Sequence, residues 1–178
     1  MKPHKHSFDP FENRLARNLR NELSAAFIHS LDEMDAGLFR AATASYLQRE
    51  IEPGFREYIE DRLDRYREVF DEIQAAEVKD PFAQTMLLWH KGLLFEAHER
   101  FESFWKDVPA DTRQAIKGLI KAVAACIHKE YGHERAAASL ADKAAGLLRD
   151  YGSFLPAFIN TDRIVARLVS EDLSPPFS

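Results

Sequence analysis

The segment Phe95–Trp105, FEAHERFESFW, contains the side chains of this chain best suited to chemistry: one histidine, three glutamates and four aromatic residues. An α-helix advances about 100° per residue. With Phe95 as the origin, His98 falls at roughly 300° and Glu102 at roughly 340° by that rotation, between Trp105 and Phe95 and inside the apolar arc. The opposite arc, which we predict to be the solvated face, holds Glu96, Glu99, Arg100 and Ser103.

His98 and Glu102 are therefore predicted to share the buried side of the helix, one turn apart. Burying a carboxylate costs free energy unless the group is paired or hydrogen-bonded. One interpretation is structural, with Glu102 accepting a hydrogen bond from His98 or from a lysine elsewhere. The other is functional, with the two side chains lining a pocket that binds a ligand or a metal ion.

The next long helix offers partners for this pair. Lys117, Lys121 and His128 form a stripe along one flank of its apolar side. If the two helices pack antiparallel, the stripe meets His98 and Glu102. His98, Glu102 and His128 would then supply two imidazoles and a carboxylate, a set known from catalytic zinc and non-haem iron sites. The neighbouring lysines oppose this hypothesis, because they repel a cation.

The elements that must position these residues are predicted to be helices throughout, so the fold class is all-α, a bundle of antiparallel helix pairs. Asp9 and Ser30 resemble capping residues, and apolar residues from Phe55 to Ile73 recur at steps of three and four. Asp80-Pro81 is the best internal boundary, because proline cannot continue a preceding helix. We predict an N-terminal helical extension (1–80), a helical core (81–152) and a C-terminal helix with a tail (153–178).

Composition narrows the classes of function. The 178 residues are 46% hydrophobic and 30% charged with a net charge of −5, and no basic patch suits a phosphate backbone, so nucleic acid is not expected as a partner. No apolar run approaches the roughly 18 residues of a membrane helix. Because Cys126 is the single cysteine, no internal disulfide can form, and a reducing cytoplasm is favoured. We predict that its side chain is an unreactive thiol in the core.

Three stretches resemble a bacterial and archaeal helical family, the domain of unknown function 309, over residues of about 82–151. The first runs from Phe95 to Trp105, the second is Lys117-Gly118-Leu119-Ile120 with His128, and the third is the helix opened by Gly132. The resemblance implies a compact bundle of antiparallel helix pairs and no established activity. Two departures are Lys121, where relatives usually carry glutamine, and Ala136-Ala137, where they usually carry Gly-Ala. The signature positions that it implies are His98, Glu99, Glu102, Trp105 and His128.

Two hypotheses of function follow, and neither a substrate nor a protein partner is identified. The first is a module that binds a ligand or a protein through a polar pocket between core helices; its candidate residues are His98, Glu99, Glu102, Trp105, Lys121 and His128. The second is a metal-dependent hydrolase with Glu102 as general base and His98 and His128 as ligands or acid. A divalent metal is thus the candidate cofactor. A homo-oligomer assembled through the long helix predicted over Phe55 to Ile73 is a further alternative.

Overall fold

The computed structural model describes residues 8–106 and 108–173, and within them the chain forms helices and no strand. The all-α prediction is therefore confirmed. A single turn of 3-10 helix, Gly152–Phe154, follows the helix that ends at Tyr151. The helices are α1 (Arg14–Glu33), α2 (Ala36–Leu47), α3 (Pro53–Ala75), α4 (Pro81–His90), α5 (Leu94–Ser103), α6 (Ala110–Glu130), α7 (Glu134–Tyr151) and α8 (Thr161–Val169). None of these helices is long and apolar enough to cross a membrane.

The chain divides into two compact units, the first ending at Gln84 and the second beginning at Thr85. The division falls inside α4. In the first unit, α1, α2 and α3 contact one another. Their shared core is aromatic: the rings of Phe27 and Tyr66 stack with centroids 4.1 Å apart, and Phe39 meets both edge-on.

The start of α1 lies later than the sequence indicates. Asp9 accepts a hydrogen bond from the backbone N–H of Phe11 at 2.7 Å, which forms an isolated turn. The helix itself begins at Arg14, where Asn13 Oδ1 accepts from the N–H groups of Leu15 and Ala16 at 2.8 and 3.2 Å. Asn13 is the N-cap because it satisfies two donors that the first helical turn leaves open.

Ser30 does not cap a second helix, and that prediction is wrong. It is fully buried near the end of α1. Its hydroxyl donates to the carbonyl of Ala26 at 2.9 Å and accepts from the N–H of Phe39 at 3.0 Å. Asp35 caps α2 instead, accepting from Gly37 N–H at 2.7 Å. The hydroxyl of Ser30 therefore links α1 to the first turn of α2.

In the second unit, α6 packs against α5 and makes a more extensive contact with α7, which also contacts α8. Phe95 at the start of α5 lies beside Tyr131 just after α6, with ring centroids 6.1 Å apart, so α5 and α6 run antiparallel as predicted. Gly118 brings α6 and α7 close together, because a Cβ at this position would lie only 2.9 Å from Cγ of Leu148. Small residues, mostly alanines, therefore line α7.

Two glycines with left-handed backbone conformation, Gly92 and Gly132, follow the ends of α4 and α6. After α4, Gly92 (φ 73°) donates its N–H to the carbonyl of Trp89 at 3.1 Å, and Leu93 donates to Leu88 at 2.9 Å. This pair of bonds is the Schellman motif, which reverses the chain and sets the side chains five residues apart against each other. Here both members of that pair, Leu88 and Leu93, are buried leucines.

Candidate functional site

The orientation of α5 differs from the sequence prediction. Glu96 and Arg100, which we predicted to be solvated, are 0% and 3% exposed. Glu102, which we predicted to be buried, is exposed, and His98 is half-buried. The buried arc of α5 therefore lies about a quarter of a turn from the arc that the aromatic residues indicated, by the rotation of 100° per residue.

The error has an identifiable cause in two aromatic residues. Trp105 lies two residues beyond the end of α5 and is 39% exposed, so it does not mark the buried side. Phe95 lies in the first turn and is covered beside Tyr131. Both rings biased the predicted arc toward His98 and Glu102. Glu96 and Arg100 lie one helical turn apart with opposite charges, a spacing at which the two groups can offset each other's cost of burial.

The same rotation brings three donor groups together on the outer face of α5. His98, Glu99 and Glu102 each offer one ligand atom, and these atoms lie within 4.8 Å of one another. His98 is half-buried, whereas Glu99 and Glu102 are exposed. Positions i, i+1 and i+4 share one side of a helix closely enough for this. The structure thus places Glu99, whose side chain we had assigned to the solvated face, next to the two predicted ligands.

Among the described residues, His128 is not part of that three-residue group. It lies in the last turn of α6, and its Nδ1 is 3.2 Å from Nδ1 of His133. Burial lowers the pKa of His128 below its usual 6.5, and the neighbouring His133 lowers that pKa further. This lowering of the pKa favours the neutral form of His128, which is the form that ligates metal ions.

The remaining candidates are dispersed over the second unit. Lys121 is half-buried on α6, and Lys117 on the same helix is exposed. Cys126 is buried beside Trp89, and this burial raises the pKa of its thiol to about 12, which makes the thiol unreactive as predicted. His4 and His6, which the N-terminal sequence offers as a possible chelating pair, lie outside the described residues.

His133 is the residue that the sequence reasoning missed. A signal was present: a Schellman turn pairs the side chains on either side of its glycine, at positions five apart. His128, Gly132 and His133 have that spacing. The sequence analysis used Gly132 only as a turn and so left its neighbour unassigned.

Comparison with known proteins agrees with the resemblance found in the sequence. Residues 82–140 match the family described as Domain of unknown function (DUF309). The match covers α5 and α6 with their candidate residues and extends into α7. Searches of curated proteins and of solved structures find no match to this chain.

Proposed function

We propose that residues 82–140, which match the DUF309 family, form a binding module that holds a divalent metal ion on the outer face of α5. The ligands are His98, Glu99 and Glu102. The observation that carries this proposal is the convergence of their three ligand atoms within 4.8 Å. Since Glu99 and Glu102 are exposed, the site is an open surface rather than the closed pocket that the sequence suggested.

The donor set favours a first-row transition metal. An imidazole nitrogen suits zinc and iron, and carboxylate oxygens suit manganese and magnesium, so a mixed set favours Zn²⁺, Fe²⁺ or Mn²⁺. The half-buried ring of His98 holds one donor in place. The exposed glutamates can rotate to shorten the distances between donor atoms, because no packing restricts an exposed side chain to one rotamer.

A metal-dependent hydrolase is the second candidate, and one observation supports it. Three protein ligands on an exposed face leave coordination positions open to water and to a substrate, as in catalytic zinc sites. The residues within reach differ from the original hypothesis, because Glu99 joins His98 and Glu102 in the group where His128 was expected. The third protein ligand of such a hydrolase is then the carboxylate of Glu99, in place of the imidazole of His128.

The proposal is tested by metal titration of a chain that carries His4→Gln and His6→Gln, which removes chelation by the N-terminal histidines. We expect the double variant His98→Gln/Glu102→Gln to bind one equivalent of Zn²⁺ or Mn²⁺ less than this background. Calorimetry measures the stoichiometry, and circular dichroism checks that each variant is folded.

The chain contains its own matched control. His29 and Glu33 on α1 are exposed and have the same i, i+4 spacing, but in the described part of the chain they are not in a three-residue metal group. The variant His29→Gln/Glu33→Gln should bind as much metal as the background. If removing His98 and Glu102 leaves metal uptake unchanged, the proposed function is wrong.

A cytoplasmic location is part of the same proposal. It is supported by a single cysteine that is buried and cannot pair within the chain, as is usual in a reducing compartment. Cell fractionation tests it, and recovery outside the cytoplasm would contradict it.

A further inference from the structure

We infer that His128 and His133 chelate a transition-metal ion at the turn between α6 and α7, at a site separate from the one on α5. Their two Nδ1 atoms lie 3.2 Å apart. Zn–N bonds of about 2.0–2.1 Å place two nitrogens about 3.4 Å apart at a tetrahedral angle and about 2.9 Å apart at a right angle. The observed separation lies between these values, so both rings can bind one ion with little movement.

The backbone of the turn brings the two histidines together. Gly132 (φ 78°) donates its N–H to the carbonyl of Lys129 at 3.1 Å, and His133 donates to the carbonyl of His128 at 2.8 Å. These are the two bonds of a Schellman motif, which brings residues 128 and 133 side by side. The main-chain bonds thus hold the two residues side by side, and the rotamers of the two histidines then set the distance between their rings.

The other turns of this kind show what is unusual about the pair. The same two-bond pattern sets Ile73 against Val78 after α3, and after α4 it sets Leu88 against Leu93, both buried. After α8 it sets Arg167 against Asp172, which form an ion pair at 3.1 Å. An apolar pair and an opposite-charge pair are each favourable as they stand. At 3.2 Å two neutral imidazoles can also share one hydrogen bond, with one Nδ1–H donating to the other Nδ1. This pair differs from the other turns because it repels when both rings are protonated and offers two ligand nitrogens to a cation when both are neutral.

The surroundings suit a bound cation. Both imidazoles are half-buried, so an ion and the water that completes its coordination can reach them. Lys129, the next residue after His128, forms an ion pair with Glu134 at 2.6 Å, which reduces its repulsion of a cation. Neutral imidazole nitrogen is a ligand preferred by Zn²⁺, Ni²⁺ and Cu²⁺ and poorly suited to Mg²⁺ or Ca²⁺. The ligand class is therefore a borderline transition metal.

Zn²⁺ titration of the His4→Gln/His6→Gln background tests the inference, with two variants of the turn. His128→Leu/His133→Leu reproduces the apolar pair that the chain already uses after α4, so the turn has a precedent for folding. His133→Gln keeps a polar side chain and removes one ligand. We expect each variant to bind one equivalent of Zn²⁺ less than the background. Long-range ¹H–¹⁵N spectra of the background should show the Nδ1 resonances of both rings shifting together on Zn²⁺ addition.

The outcomes separate this inference from the proposed function. If His128→Leu/His133→Leu loses one equivalent and His98→Gln/Glu102→Gln loses none, the turn site stands and the α5 site fails. If the turn variants keep every equivalent and the two Nδ1 resonances do not move, the inference is overturned. It is also overturned if His98→Gln/Glu102→Gln abolishes all binding, because the pair would then not be a separate site.

Discussion

The close contact between α6 and α7 predicts that replacing glycine by alanine lowers stability at Gly118 on α6 and raises it at Gly146 on α7. Gly118→Ala would place a Cβ 2.9 and 3.0 Å from Cγ and Cδ2 of Leu148 and 3.3 Å from Cβ of Leu147. Overpacking of this kind costs about 1–3 kcal/mol. Alanine in place of glycine inside a helix contributes about 1 kcal/mol. We therefore expect the free energy of unfolding to fall by about 0–2 kcal/mol, the difference of these two terms.

Gly146 on α7 is the matched control. A Cβ at this position meets nothing within 4 Å, so Gly146→Ala should raise the free energy of unfolding by about 1 kcal/mol. Because both variants gain the same helix propensity, the difference between them isolates the packing cost of about 1–3 kcal/mol.

The assay is urea unfolding followed by tryptophan fluorescence. Both tryptophans of the chain, Trp89 and Trp105, lie in the unit that begins at Thr85. The signal therefore reports the unit that contains both glycines. Adding Leu148→Ala removes the side chain that the new Cβ meets, so its effect should be less than additive with Gly118→Ala, by about 0.5–3 kcal/mol. Equal stabilities of Gly118→Ala and Gly146→Ala would refute the reasoning.

Two further predictions concern the charges of the second unit. Glu96→Ala should lower the free energy of unfolding by about 1–3 kcal/mol, because Glu96 is a fully buried carboxylate one helical turn from the buried, oppositely charged Arg100. The exposed Glu99→Ala should stay within about 0.5 kcal/mol. Urea unfolding measures both, and equal effects would contradict the buried orientation of Glu96. The pKa of His128 is lowered in the folded chain, so below pH 6.5 the folded form binds fewer protons than the unfolded chain. The free energy of unfolding of the metal-free protein should therefore fall as the pH falls below 6.5, and His128 should have no effect on it above that pH. Melting curves from pH 5 to 8 test this prediction. If the melting temperature of His128→Leu/His133→Leu changes with pH as much as that of the unsubstituted protein, groups other than His128 cause the change.

Much of the helical architecture could be predicted from the sequence because apolar residues recur with helical spacing. The residues from Phe55 to Ile73 indicate α3, which runs from Pro53 to Ala75. The break at Asp80-Pro81 precedes α4, which begins at Pro81. Caps were less predictable. Ser30 has the sequence of a capping box, yet its hydroxyl accepts from Phe39, nine residues away, and no local pattern encodes that contact.

The candidate site was predicted in part. His98 and Glu102 do lie together as their spacing implies, but with Glu99 and on the outer face of α5. The side of a short helix that is buried depends on its neighbours, and in α5 charged residues, Glu96 and Arg100, occupy that side. A hydrophobic pattern cannot identify a buried arc that contains two charges.

The small side chains between α6 and α7 have a consequence for how the chain folds. The residues that α7 buries are Ala137, Ala141, Ala144, Ala145 and Leu148. Alanine loses no rotamer freedom when it is buried, and the two helices are neighbours in sequence, joined by the turn at Gly132. Contacts of short sequence separation form quickly because little loop entropy opposes them. The α6–α7 hairpin therefore has a low entropic barrier to assembly, and we expect it to serve as the nucleus on which α5 and α8 dock.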